Sequence, residues 1–144
     1  MKKTAYSILF CLGFWLTNSL VNQANAQIFK DCNLPNLQYF VDEMPSFSED
    51  GGLKAYFEKE LGKKVEEYTG HVMLQILIAN DGTPCCKSII NKSNQQNGDM
   101  NLKKLINKMP KWKAASKKNQ AVNSVAYLTL RFEEGQLNVE YDRM

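Results

Sequence analysis

Proline and glycine are scarce here: four and eight in 144 residues, which leaves no Pro-rich or Gly-rich linker. Histidine occurs once, at His71, and no Cys-x-x-Cys spacing is present, so no metal site is expected. No serine or cysteine stands in a recognisable nucleophile motif. The pairs Glu66-Glu67 and Asp42-Glu43 read as solvated charges rather than an acid–base couple. Neither an enzyme nor a bound cofactor is therefore expected. Charge of one sign is also lacking, with 18 basic residues against 15 acidic. That balance gives no argument for nucleic acid as a partner. What remains is ordinary: 44% hydrophobic and 10% aromatic residues, which excludes wholesale disorder, collagen and repeat arrays. The length suits one domain.

A long hydrophobic run is missing too. Lys2 and Lys3 precede an apolar stretch from Ala5 to Leu16, but Thr17, Asn18 and Ser19 interrupt it. The clean run falls short of the ~20 residues a membrane span needs. Ala24-Asn25-Ala26 then puts small residues at the positions before a cut. Residues 1–26 read as a cleaved secretory signal, with Gln27 as the new N-terminus. The rival is an uncleaved anchor. No lipobox leads into Cys11, so no acylated N-terminus is expected. Cleavage removes two lysines and no acid, lowering the net charge from +3 to +1. The product is expected in the periplasm or secreted, without membrane contact.

Cleavage leaves Cys32, Cys85 and Cys86 in an oxidising compartment, where pairing is the default. Neighbouring strand residues point to opposite faces, so Cys85 and Cys86 do not bond each other. The simplest scheme joins Cys32 to one of them and leaves one thiol. We take Cys32–Cys86, with nothing in the spacing to set it above Cys85.

Residues 27–43 show no period and read as an extended lead-in; residues 44–144 form the domain. Ser48 or Asp50 can cap a helix whose Leu53, Phe57 and Leu61 share one face, with Gly62 as its stop. Val72, Leu74, Ile76 and Ile78 line one side of a strand. Met73, Leu77 and Ala79 make the other side apolar as well, which predicts a central, covered strand. Asp81-Gly82 marks a hairpin, and Pro84 suits an edge strand from Cys85 to Asn91. Asn97-Gly98-Asp99 opens a second helix, with Leu102, Leu105, Ile106 and Met109 on one face and Pro110 at its end. Trp112 reads as a core plug in a connection rich in lysine: Lys108, Lys111, Lys113, Lys117 and Lys118. Ser124 to Glu133 alternates as a last clear strand, and Leu137, Val139 and Tyr141 could add a short one. The expected fold is α+β. A three-stranded sheet in spatial order 2-1-3 combines an antiparallel hairpin with a split strand–helix–strand unit, and two helices cover one face. The last strand is then an edge.

Four pieces resemble the C-terminal domain of TonB, in the form found among Bacteroidota. Met44-Pro45-Ser46-Phe47 with Gly51-Gly52-Leu53 resembles the family's opening before its first helix. Gly70-His71-Val72 through Asp81-Gly82 resembles its first strand and hairpin. Met109-Pro110-Lys111-Trp112 resembles its Pro-x-Trp signature, and Val125 to Phe132 its last strand. The family's usual proline after the tryptophan is absent, since Ala114 follows Lys113.

The resemblance implies a protein-binding module of the cell envelope, in a family whose role is transport across the outer membrane. Family members pair the last strand with an extended receptor segment, and strand addition draws its affinity from backbone bonds. The residues that would do so here are Ser124, Val125, Tyr127, Thr129 and Arg131. The partner would be an outer-membrane receptor or another envelope protein. An energy transducer needs a retained anchor and a long reach. Residues 27–43, fully extended, span at most about 60 Å. The second expectation is an accessory domain whose edge is occluded by its own Leu137–Tyr141 tail.

Overall fold

The computed structural model describes residues 25–91 and 100–142. The leader up to Ala24 and the helix start at Asn97-Gly98-Asp99 lie outside the described residues. In chain order the described elements are β1 (Asn25–Ile28), α1 (Gly52–Leu61), α2 (Lys64–Glu67), β2 (Gly70–Ile78) and β3 (Pro84–Asn91). They continue with α3 (Leu102–Asn107), β4 (Ala115–Lys117), β5 (Gln120–Val122), β6 (Ser124–Glu133) and β7 (Gln136–Asp142). No described helix is long and apolar enough to cross a membrane.

The expected three-stranded sheet under two helices is not what forms. One five-stranded antiparallel sheet runs β1-β3-β2-β6-β7, and β4 and β5 make a separate two-stranded hairpin. The protein is mostly sheet, with helices of ten, four and six residues. An extra strand comes from each flank. β1 spans the expected cleavage site, pairing Ala26 with Ile90 and Ile28 with Ser88. β3 is therefore not an edge over Ser88–Asn91, where β1 pairs with it; nearer Pro84 the Cys86 amide donates to Asn107 Oδ1 at 2.9 Å instead. β7 pairs with β6 from Tyr127↔Asp142 to Glu133↔Gln136, so β6 is not an edge either.

α1 follows its apolar face: Phe57 and Leu61 are buried and Leu53 is partly so. Its N-cap is Gly51 in the left-handed region, with no side-chain cap from Ser48 or Asp50. Gly62 closes it by donating its amide to the Glu58 carbonyl at 2.9 Å.

The two sheet faces are covered differently. On one, Val72, Leu74, Ile76 and Ile78 of β2 meet Ala126, Leu128, Leu130 and Phe132 of β6 under the helices. On the other, Leu77 and Val125 are buried beneath Cys32, with Leu34 and Leu37 of the lead-in packed beside them. That second cover reaches only part of the sheet.

The disulfide joins Cys32 to Cys85, not to Cys86. The pairing register decides it. Cys85 stands opposite Leu77 on the lead-in face, whereas Cys86 stands opposite Ile76 on the helix face. The Cys86 thiol is buried, and desolvation pushes its pKa up to about 12. We expect Cys86 to resist alkylation at mildly alkaline pH until the protein is unfolded, with peptide mapping reading the label. Labelling of the native protein at Cys86 would contradict this burial.

The β2–β3 turn is packed rather than free. Gly82 (φ 85°) accepts at its carbonyl from the Trp112 amide at 2.9 Å and donates its own amide to Ala79. Asp81 accepts from the Thr83 amide at 2.9 Å and meets Lys111 at 3.2 Å. The Thr83 hydrogen bonds, then Lys111, pull the Asp81 carboxyl down to about 2. Trp112 itself is buried between the rings of Phe47 and Tyr141, at 5.5 and 6.1 Å.

Candidate strand-addition edge

The five residues expected to meet a partner are occupied inside the fold. Ser124, Val125 and Thr129 are buried. Ser124 sits at a parallel bridge to Gln38, whose amide donates to Asn123 O at 2.8 Å. Tyr127 accepts at its hydroxyl from Gln75 Nε2 at 3.1 Å. Thr129 Oγ1 donates to Asp142 Oδ2 at 3.2 Å, and Arg131 Nε donates to Glu140 Oε1 at 2.9 Å. The odd side chains of β6 thus tie the sheet to itself. The lead-in and β7 take the side that a partner would need.

The edge is displaced by one strand. β7 is the last strand of the sheet, and among the described residues no other strand pairs with its outer side. It is joined to β6 by the two-residue turn Glu134-Gly135, both at positive φ (51° and 75°). Such a turn is closed by a hydrogen-bonded pair, here Glu133↔Gln136. Alternation then directs the backbone groups of Gln136, Asn138, Glu140 and Asp142 toward β6. Those of Leu137 and Val139 point outward, but Leu137 is fully buried, so of the two only Val139 is partly exposed.

Side chains alternate in the same way. Leu137 is fully buried, while Val139 and Tyr141 pack on the helix-side core. The Tyr141 hydroxyl donates to Pro45 O at 2.7 Å. This anchoring holds the strand against the core. Gln136, Asn138, Glu140 and Asp142 face the other way and are exposed.

Natural edges are blunted by proline, lysine, bulges or shortness. The seven residues Gln-Leu-Asn-Val-Glu-Tyr-Asp include neither proline nor lysine, and their register with β6 is unbroken. The opposite edge, β1, is only four residues long.

The lysine-rich connection is dispersed by the fold. Lys111 pairs with Asp81, Lys113 with Glu43 at 3.4 Å, and Lys117 donates to Gln38 Oε1 at 2.8 Å. Lys108 lines a shallow cleft with Glu60, Lys64 and Lys104. That cleft lines up no nucleophile with a base. His71 is the second residue of β2 and stands opposite Arg131. Among the described residues, no group of three or more His, Cys, Asp or Glu could hold a metal ion. No family model, curated protein or solved structure matches this chain.

Proposed function

We propose that this chain is a periplasmic or secreted protein-binding module, resembling the TonB C-terminal domain, that takes an extended partner segment onto its last strand. The strand is β7 rather than β6. One observation carries the reading. Among the described residues β7 ends the sheet as an unbulged edge that is anchored from behind, carries neither proline nor lysine, and leaves Val139 partly exposed. Such an edge is a template for strand addition, in which backbone bonds supply affinity and alternate side chains supply choice.

The outward amide of Val139 gives a direct test. It makes no ladder bond to β6 in this register, so Val139→Pro removes a donor from the open edge and leaves the internal ladder intact. Val139→Ala loses the same packing but keeps the amide. We expect Val139→Ala to retain a partner from periplasmic extract, and Val139→Pro to retain about tenfold less or worse. Melting curves of both variants must match. Equal capture by both would remove strand addition at β7 from consideration.

A second reading is favoured by the covering of β6 by β7 and Gln38. It is an envelope accessory domain closed by its own tail. It expects no capture by the wild type at all.

A further inference from the structure

Resting on the strand-addition reading, we infer that the β7 edge selects an extended segment carrying Lys or Arg at alternate positions, with β-branched apolar residues between them. The pattern follows from what β7 shows on each side. Toward the helices it presents Leu137, Val139 and Tyr141, which continue the core. A strand laid beside them extends that apolar row. On the opposite face it presents Glu140 and Asp142, two residues apart. Side chains directly opposite on paired strands lie within about 5.5 Å at Cβ, close enough for charge to decide the pairing.

The surrounding charges are mostly of the same sign. From Ser124 to Arg143 the sequence has two bases, Arg131 and Arg143, against Glu133, Glu134, Glu140 and Asp142. The Arg131 pKa is raised above its ordinary value, first by its hydrogen bond and charge interaction with Glu140, then by Glu133 and Asp142. Glu66 of α2 adds another acid at the turn, its Cγ 3.8 Å from where a Cβ on Gly135 would stand. Arg131 already serves Glu140, so the field left for a newcomer is negative.

This charge pattern also argues against a second copy as the occupant. Two β7 strands side by side bring the Glu140 and Asp142 side chains of both copies into one short ladder, and like charges opposed in a sheet repel. The edge thus rejects itself while remaining open to a basic strand.

The experiment uses the whole exported chain and two synthetic peptides. One alternates lysine with valine; the other alternates glutamate with valine. Amide exchange at Val139, which is partly exposed, reports where they bind. The lysine peptide is expected to bind at least about tenfold tighter and to slow exchange at that amide. Glu140→Lys combined with Asp142→Lys, both at exposed positions, should reverse the preference. Equal binding of the two peptides with the Val139 amide protected would overturn the charge selection and leave strand addition standing. Binding of the lysine peptide without protection of that amide would overturn both. So would failure of the lysine peptide to bind at millimolar concentration.

Discussion

Replacing Cys32 and Cys85 with alanine is expected to lower the unfolding free energy by about 4 kcal/mol. The bond spans 53 residues of sequence, and closing a loop of that length restricts the unfolded chain by roughly this amount. For a domain of this size the melting temperature should fall by roughly 15–20 °C. The folded state loses something as well. The lead-in covers Leu77 and Val125 mainly through Cys32, Leu34 and Leu37. Without the covalent tie, it is held by bonds such as Asn123 Nδ2 to Pro35 O and Lys87 Nζ to Cys32 O. Cys86→Ala is the control, because it removes a buried sulfur from the other face without opening a loop. It should cost about 1 kcal/mol. Denaturant titrations of both variants decide the matter. A double variant no less stable than Cys86→Ala would mean that the disulfide does not hold the lead-in down.

The second large effect is expected at Gly82. A Cβ built there collides with the Trp112 carbonyl oxygen, and the residue sits at φ 85°. Both features oppose any side chain. The left-handed conformation alone costs a non-glycine residue roughly 1–2 kcal/mol. The clash is with backbone, so it can be relieved only by moving Trp112, whose amide bonds back to Gly82. Losing that bond in a buried turn costs about 1 kcal/mol more. Gly82→Ala should therefore destabilise the protein by about 3 kcal/mol in total. Because Trp112 is packed between Phe47 and Tyr141, its emission should also shift to the red. A loss under about 1 kcal/mol with unchanged emission would show that the turn and the tryptophan are not locked together.

Parts of this architecture can be read along the chain, and each has a local cause. Leu53, Phe57 and Leu61 repeat at helical spacing because one side of α1 lies on the core. The two apolar faces of β2 reflect two real covers, helices on one side and lead-in on the other. Asp81-Gly82 marks a turn because the glycine adopts positive φ. The outer strands are harder to read. β1 is four residues long and sits where small residues also suit a cleavage site, so its pairing with β3 leaves no period to detect. β4 and β5 are three residues each, joined by Lys118 and Asn119 at positive φ inside a lysine-rich stretch that looks solvated.

The candidate edge was hidden for a related reason. The alternation of Leu137, Val139 and Tyr141 is visible, but the turn before it has glutamate where Asn, Asp or Gly is usual. With that signal weak, β7 reads as an appendage and β6 as the edge. Which strand stands outermost depends on non-local pairing, and residue spacing does not carry it. The choice between Cys85 and Cys86 has the same character. Their opposite orientation is local, but knowing which face the lead-in covers requires the folded arrangement.

The bonds of the lead-in also govern when this protein can finish folding. Residues 35–46 find their partners very late in the chain: Pro35 with Asn123, Gln38 with Ser124, Asp42 with Lys118, and Pro45 with Tyr141, 96 positions away. Loops that long must close before any of these contacts repays the lost freedom, which places the domain among slow, high-contact-order folders. A chain emerging N-terminus first can pair β1 with β3 early, but residues 35–46 have nowhere to dock until β6 and β7 have been released. Until β2 and β3 have paired, Cys32 meets two adjacent thiols with nothing to tell them apart. Oxidation at that stage can trap Cys86, and the native bond then follows by exchange once β3 commits Cys85 to the outer face.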